Sequence, residues 1–151
     1  MTNTGFGKGL VLAASLAVAL LVPVEGAEAR RGDGLHVNVD VGGQVMEVYV
    51  DGRLKHRWPV STGRDGFETP GGSFKPQRLE KDWHSRKYDN APMPNAVFFN
   101  GGYAIHGTTD VKRLGRQASH GCIRLHPNHA AALYDLVEDH GSSRTRIEID
   151  N

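Results

Sequence analysis

A mainly β domain with one main helix near its C-terminus, an α+β arrangement, is what this chain predicts, and three observations carry the prediction. From Leu35 onward apolar and polar residues alternate with a period of two. Gly-Gly, Asp-Gly and Asn-Gly pairs punctuate these runs at short intervals. A helical spacing of apolar residues with both a start and a stop signal occurs once, after Pro127.

The elements follow in order. Leu35, Val37, Val39 and Val41 alternate with His36, Asn38 and Asp40, the pattern of a half-buried strand. Gly42-Gly43 predicts a two-residue turn, Gln44 to Val50 resumes a β-prone run, and Asp51-Gly52 turns the chain toward Leu54 to Ser61, completing a three-stranded meander. From Thr62 to Pro94 the composition shifts to Gly, Pro, Lys, Arg and Asp with scattered aromatics (Phe67, Phe74, Trp83, Tyr88), which predicts long loops around short strands. Val97-Phe98-Phe99 and Tyr103-Ala104-Ile105, joined by Asn100-Gly101-Gly102, read as a hairpin whose second strand ends at His106. Ile123-Arg124-Leu125 is a further short strand. Pro127 or Asn128 opens the helix, Leu133, Leu136, Val137 and His140 form its stripe, and Gly141 closes it. Arg144 to Ile149 alternates again as a final strand.

The first thirty residues differ in character. Lys8 precedes an apolar run from Gly9 to Val22, then Pro23, Val24 and Ala27-Glu28-Ala29, the layout of a secretory leader (residues 1–29) cut before Arg30. The run is shorter than the roughly 20 residues a spanning helix needs, so no stable membrane span is expected after cleavage. An uncleaved anchor is the alternative, and under either reading the remainder faces outward, to the periplasm or cell envelope. Taking 29 residues from 151 leaves 122, enough for a short extension (30–34) and one domain (35–149), expected to act as a monomer. The leader carries Lys8, Glu25 and Glu28, so the formal charge of +1 becomes +2 without it. With no basic block, nucleic acid is excluded as the main partner.

Cys122 is the sole cysteine of the chain, so in an oxidising compartment it has no internal disulfide partner and is a candidate nucleophile. An ordinary thiol is mostly protonated at neutral pH and needs an imidazole within reach. His106 and His120 are the available bases. His106 is the stronger candidate, because at a strand end before Gly107 a backbone carbonyl can hold one ring nitrogen while the other faces sulfur. His120 and Cys122, two residues apart, share a face in an extended segment, as do Cys122 and Arg124. Amides around Gly121 and Cys122 suit an oxyanion, and Arg124 suits a carboxylate. Two plainer readings compete: a small buried structural cysteine, and a zinc site in which Cys122, His126 and His129 form C-x3-H-x2-H with His106 or His120 as fourth ligand. Against zinc stand the single sulfur and the helix start at Pro127 inside the spacing.

The ordered set Tyr103-Ala104-Ile105-His106-Gly107-Thr108, Leu114-Gly115 and Ala118-Ser119-His120-Gly121-Cys122-Ile123-Arg124-Leu125 resembles the signature of the L,D-transpeptidase catalytic domain, or YkuD, family. The likeness extends through Pro59 to Gly63, Thr69-Pro70-Gly71-Gly72 and Met93 to Phe99, and covers nearly all of residues 35 to 149. It implies a mixed β-sandwich-like domain in which Cys122 attacks the carbonyl between the third residue of a peptidoglycan stem peptide and its D-alanine. His106 would be general base and acid, oriented by the carbonyl of Gly107, with His120 assisting. Ser119, His120 and Gly121 would shape the site and its oxyanion pocket. The thioester would pass to an amine of a neighbouring stem, a reaction that requires no metal or other cofactor; an outer-membrane lipoprotein or water are alternative acceptors. Arg124 would bind a diaminopimelate carboxylate, and Tyr103, His84 and Tyr88 are candidates for lining the substrate cleft. The chain resembles the catalytic unit of larger relatives without their wall-binding modules.

Overall fold

A computed structural model describes residues 1–2 and 34–151. Apart from Met1, Thr2 and Gly34, the expected leader and N-terminal extension therefore lie outside the described residues. Among the described residues nine strands form two sheets. Leu35–Asp40 (β1), Val45–Val50 (β2) and Arg53–Pro59 (β3) make the expected antiparallel meander; Thr145–Asp150 (β9) adds to β1 in parallel, and Gly72–Phe74 (β4) adds to β9, giving the order β3-β2-β1-β9-β4. The second sheet contains Arg78–Ser85 (β5), Ala91–Asn100 (β6), Tyr103–Gly107 (β7) and Ile123–Leu125 (β8), in that order. The helix Pro127–His140 (α1) packs against β6 and β7.

Period-two alternation decides what each strand buries. Val37 and Val39 of β1, Met46 and Val48 of β2, and Ile147 and Ile149 of β9 point inward, where they meet Val97, Phe99, Ile105, Ile123 and Leu125 of the second sheet. Fully burying each such side chain contributes about 1.5–3 kcal/mol, so a one-residue slip of register would lose several of these at once. The helix completes this core with Ala130, Leu133, Tyr134 and Val137. That row sits a turn earlier than the expected one: Leu136 and His140 are only partly buried. Pro127 and Ala130 crowd against Gly107 so closely that a Cβ there would lie 3.3–3.4 Å from them, which brings the first turn of the helix down onto β7.

Two further expectations change. The turn after β1 spans four residues, Val41 to Gln44, and its left-handed position is filled by Gln44 (φ 53°). Gln44 is held there because its side-chain amide donates to Val41 O and Thr62 Oγ1 while its oxygen accepts from Thr62 N–H. The segment from Thr62 to Pro94, expected to be long loops around short strands, holds the short β4 but also the eight-residue β5 and the start of β6, with β5 and β6 paired from Arg78↔Phe98 to Ser85↔Ala91. Pro92 and Pro94 hid this strand. Standing two residues apart they turn their nitrogens to the same side of β6, and β7 pairs only from Val97 onward, so that stretch has a neighbour on one side only. Among the described residues no helix is long and apolar enough to cross a membrane.

Candidate active site

In the second sheet β6 and β7 bury side chains on both faces, and the alternation of β7 and β8 sorts their residues between them. Ile105, Ile123 and Leu125 enter the main core, while Ala104, His106 and Arg124 turn to the opposite face. Parallel pairing sets His106 beside Arg124. Met93, Ala96, Phe98 and Ala104 form a second apolar cluster on that face, with Trp83 and Cys122 packed against it. Above this floor lies a cleft of about 600 Å³ lined by His106, Cys122, Ser119, His120 and Arg124 among others.

His106 is 6% exposed, and its Nδ1 donates to the carbonyl oxygen of Gly107 at 2.7 Å. A carbonyl oxygen can only accept, so the proton sits on Nδ1 and Nε2 keeps its lone pair. Burial pulls its pKa down to about 4, against the lesser pull upward of the Gly107 bond. The imidazole is thus neutral and competent as a base across the physiological range. Cys122 is displaced the other way: burial pushes its thiol up, opposed by the Ala104 amide and Arg124. At rest the cleft therefore holds a neutral thiol and a neutral imidazole.

The turn that presents the sulfur is pinned from several sides. Ser119, fully buried, accepts the N–H of Gly121 on its hydroxyl at 3.0 Å and donates that hydroxyl to Cys122 O at 2.6 Å. Its own N–H donates to Thr62 O, and its carbonyl accepts from Arg64 N–H. Thr69 Oγ1 donates to Gly121 O and accepts from Gly63 N–H, tying the Gly63–Thr69 loop to the same turn. Gly121 itself takes φ 108°, and a Cβ there would come within 2.5 Å of the Tyr103 ring, so both backbone and space demand glycine. The expected oxyanion role of the Gly121 amide is not left open, because Ser119 already occupies it.

His120 stands at the rim of the cleft rather than beside a carbonyl. Its ring stacks on Tyr88 at 4.4 Å, meets the edge of Phe67 at 4.9 Å, and its Nε2 accepts from Arg64 Nη2 at 2.9 Å. Partial burial and then Arg64, Arg124 and Lys87 lower its pKa, so it too is held neutral. The nitrogen turned to Arg64 is spent on that bond, whereas His106 keeps Nε2 free of any such partner. Tyr88 lines the cleft as expected, carried by the turn between β5 and β6 together with Arg86 and Lys87.

Two expected lining residues lie elsewhere. His84 is exposed and absent from the cleft, because on β5 its neighbours Trp83 and Ser85 take the cleft side and alternation sends it to the other. Tyr103 lies outside the cleft, against Gly121. Sequence reading passed over Arg64, Trp83, Arg78 and Asp110. The i, i+2 relation of Trp83 to Ser85 was the available signal for the first of the strand pair, but nothing in the chain announces Arg64, whose partner is 56 residues away.

The cleft is cationic, with Arg78, Arg86, Lys87 and Arg124 set against Asp110. Arg78 lies over the Phe98 and Trp83 rings at 3.8 and 4.5 Å and pairs with Glu80. Arg124, half-buried, has its pKa lowered by that burial. The zinc-type spacing is not assembled: Cys122 lines the cleft, His126 accepts from Asn128 N–H at the start of α1, and His129 stacks on Trp58 at 4.9 Å. Among the described residues no group of three His, Cys, Asp or Glu side chains is placed to hold a metal ion.

This arrangement has counterparts in known proteins. YkuD of Bacillus subtilis (strain 168) is 24% identical over 106 residues, covering 68% of this chain and 60% of the relative. Its namesake in Bacillus licheniformis is 26% identical over 120 residues, covering 75% and 64%. The chain thus spans less than two thirds of the length of these relatives. Among solved structures, an L,D-transpeptidase from Mycobacterium smegmatis superposes with a TM-score of 0.69 at 28% identity, over 80% of this chain and 60% of that one. An LD transpeptidase in complex with imipenem superposes at 0.68 with 26% identity, over 79% and 60%. The pattern that defines the YkuD family runs through residues 34–149, most of the chain and all of the elements that build the cleft. With the family pattern matched over residues 34–149 and the fold shared with solved members, the chain belongs to the L,D-transpeptidase catalytic domain (YkuD) family.

Proposed function

We propose that this chain is an exported cysteine acyltransferase that cross-links peptidoglycan, with residues 1–29 as its cleaved leader. The observation that carries the reading is the fixed tautomer of His106: an Nδ1–H locked on Gly107 O leaves Nε2 as a base in the same cleft as the single thiol. As Cys122 Sγ attacks the donor carbonyl, its proton passes to His106 Nε2. Collapse of the tetrahedral intermediate breaks the amide bond, and His106 returns the proton to the departing D-alanine amine. A second amine then attacks the thioester, giving its proton to His106, and expulsion of sulfur with that proton restores the thiol. Oxyanion binding falls to the Cys122 N–H, since the Gly121 amide is engaged by Ser119. The cationic lining, Arg124 included, matches a donor that carries carboxylates.

A carbapenem offers an analogous carbonyl, and a relative of this fold has been captured with imipenem. Intact-protein mass should show one adduct on this protein and none on Cys122→Ala; an adduct that persists in the variant would remove Cys122 as nucleophile. Incubation with isolated muropeptides should give dimers joined through third residues. Shortened monomers alone would replace transfer to an amine by transfer to water, and a stem-linked lipoprotein would mark that acceptor instead.

A further inference from the structure

Gln44 lies outside the cleft, yet the fold keeps it in a backbone conformation that side chains disfavour. Its φ of 53° is left-handed, although Gly42 and Gly43 stand immediately before it in the same turn. The residue is 5% exposed and its amide is fully committed. Nε2 donates to Val41 O at 2.7 Å and to Thr62 Oγ1 at 2.6 Å, while Oε1 accepts the N–H of Thr62 at 3.0 Å. Thr62, itself fully buried, turns its carbonyl the other way and accepts the N–H groups of both Ala118 and Ser119 at 2.9 Å. Ser119 is the residue that holds Gly121 N–H and Cys122 O. Gly63 continues the contact, forming a bridge to Ser119 and giving its N–H to Thr69 Oγ1, whose hydroxyl bonds Gly121 O. One chain of buried bonds thus runs from the turn after β1 to the nucleophile turn.

Resting on the acyl-transfer reading above, we infer that Gln44 is a positioning residue for the nucleophile: acting through Thr62, it fixes the turn from Ser119 to Cys122 and so the placement of the sulfur. The site it fills asks for a primary amide, which offers two N–H donors and an acceptor on one planar fork. A carboxylate there would set an oxygen against Val41 O and Thr62 Oγ1, and an apolar side chain would leave the Thr62 N–H buried without its partner. Glycine would suit the backbone better, so the residue present answers to what its side chain binds. Its reach matters because a displacement of about 1 Å at a reacting atom, caused from a distance, costs up to about a hundredfold in rate. Gln44 touches neither substrate nor sulfur, and its effect is on rate rather than on binding.

The test reads acylation per folded molecule, with a carbapenem as the probe, intact mass as the readout and the folded fraction fixed by denaturant unfolding. Gln44→Gly keeps the left-handed backbone and removes the amide. It should lower the limiting acylation rate about tenfold while the concentration for half-saturation changes less than twofold, because the cleft lining is intact. Thr62→Val, which loses the hydroxyl, should slow the same step about threefold, and Thr62→Ser should restore it. Since the two residues act in series, the double variant of Gln44→Gly with Thr62→Val should be no slower than Gln44→Gly alone. A parental limiting rate in folded Gln44→Gly, or effects that multiply in the double variant, overturns the positioning role and leaves Gln44 a stabiliser of its own turn. Should Gln44→Gly not fold, the Thr62 pair decides, and equal rates in Thr62→Val and Thr62→Ser overturn the role. Failure of the parent to acylate at Cys122 overturns the acyl-transfer reading, and the positioning role with it.

Discussion

The two sheets of this domain use the same alternation to different ends. In the first, one face of β1, β2 and β9 is buried and the other carries polar side chains to solvent: Val37 and Val39 point in, His36 and Asn38 out. In the second, both faces of β6 and β7 are buried, Ile105 in the main core and Ala104 and His106 in the floor and wall of the cleft. A sheet with a solvent face can only be stabilised by its inner residues. A sheet buried twice can spend one face on stability and the other on desolvating a base and a thiol, and it is that desolvation which leaves both neutral.

The contrast can be broken at measurable points. Ile147→Ala in the first sheet removes a fully buried side chain and should cost about 4 kcal/mol in denaturant unfolding, while the folded fraction acylates at the parental rate. Loss of acylation in the folded fraction would mean that the two sheets are not separable in this way. Acid exposes the second sheet instead. The folded pKa of His106, about 4, lies below its unfolded value of 6.5, so the unfolded chain binds the extra proton between these limits. Stability should be unaffected by this group above pH 6.5 and fall by about 3 kcal/mol as pH drops to 4, with same-sign contributions from His120 and His129. The slope measured over that window should flatten in His106→Gln; an equal slope would assign the acid lability elsewhere.

His106→Gln should also slow acylation about a hundredfold, as loss of a general base does, and the acid limb of kcat/KM in the parent should lie near pH 4 rather than 6.5. An acid limb at 6.5 would place the working base in an exposed setting. Arg64→Ala frees His120 from its bond and should cost about fivefold in acylation, with a pH profile that now responds to His120 protonation. At the small end, His84→Ala should change acylation less than twofold and stability by under about 0.5 kcal/mol, because it stands on the solvent side of β5.

How far the chain could be read follows from the range of each interaction. The meander, the Asn100–Gly102 hairpin, β8, α1 and β9 were legible because alternation and turn residues act over a few neighbours. β5 was missed because Pro92 and Pro94 obscured its partner strand, whose one open side is a tertiary fact. His106 beside Gly107 was legible as a bond between adjacent residues. The Arg64 bond to His120, the commitment of the Gly121 amide to Ser119, and the sides taken by His84 and Tyr103 were not, since each depends on how strand faces meet.

By itself the sequence determined a mainly β domain with one helix, a single thiol, and two imidazoles close enough in the chain to serve it, because residue chemistry and short-range periodicity are local. The tertiary structure decided which imidazole is buried with its Nδ1–H on a backbone carbonyl and which is held at the rim. It also set Cys122 and His106 in their neutral forms and gave the cleft around them its cationic lining. Those properties come from desolvation and from partners distant in sequence, and neither exists until the second sheet is covered on both faces.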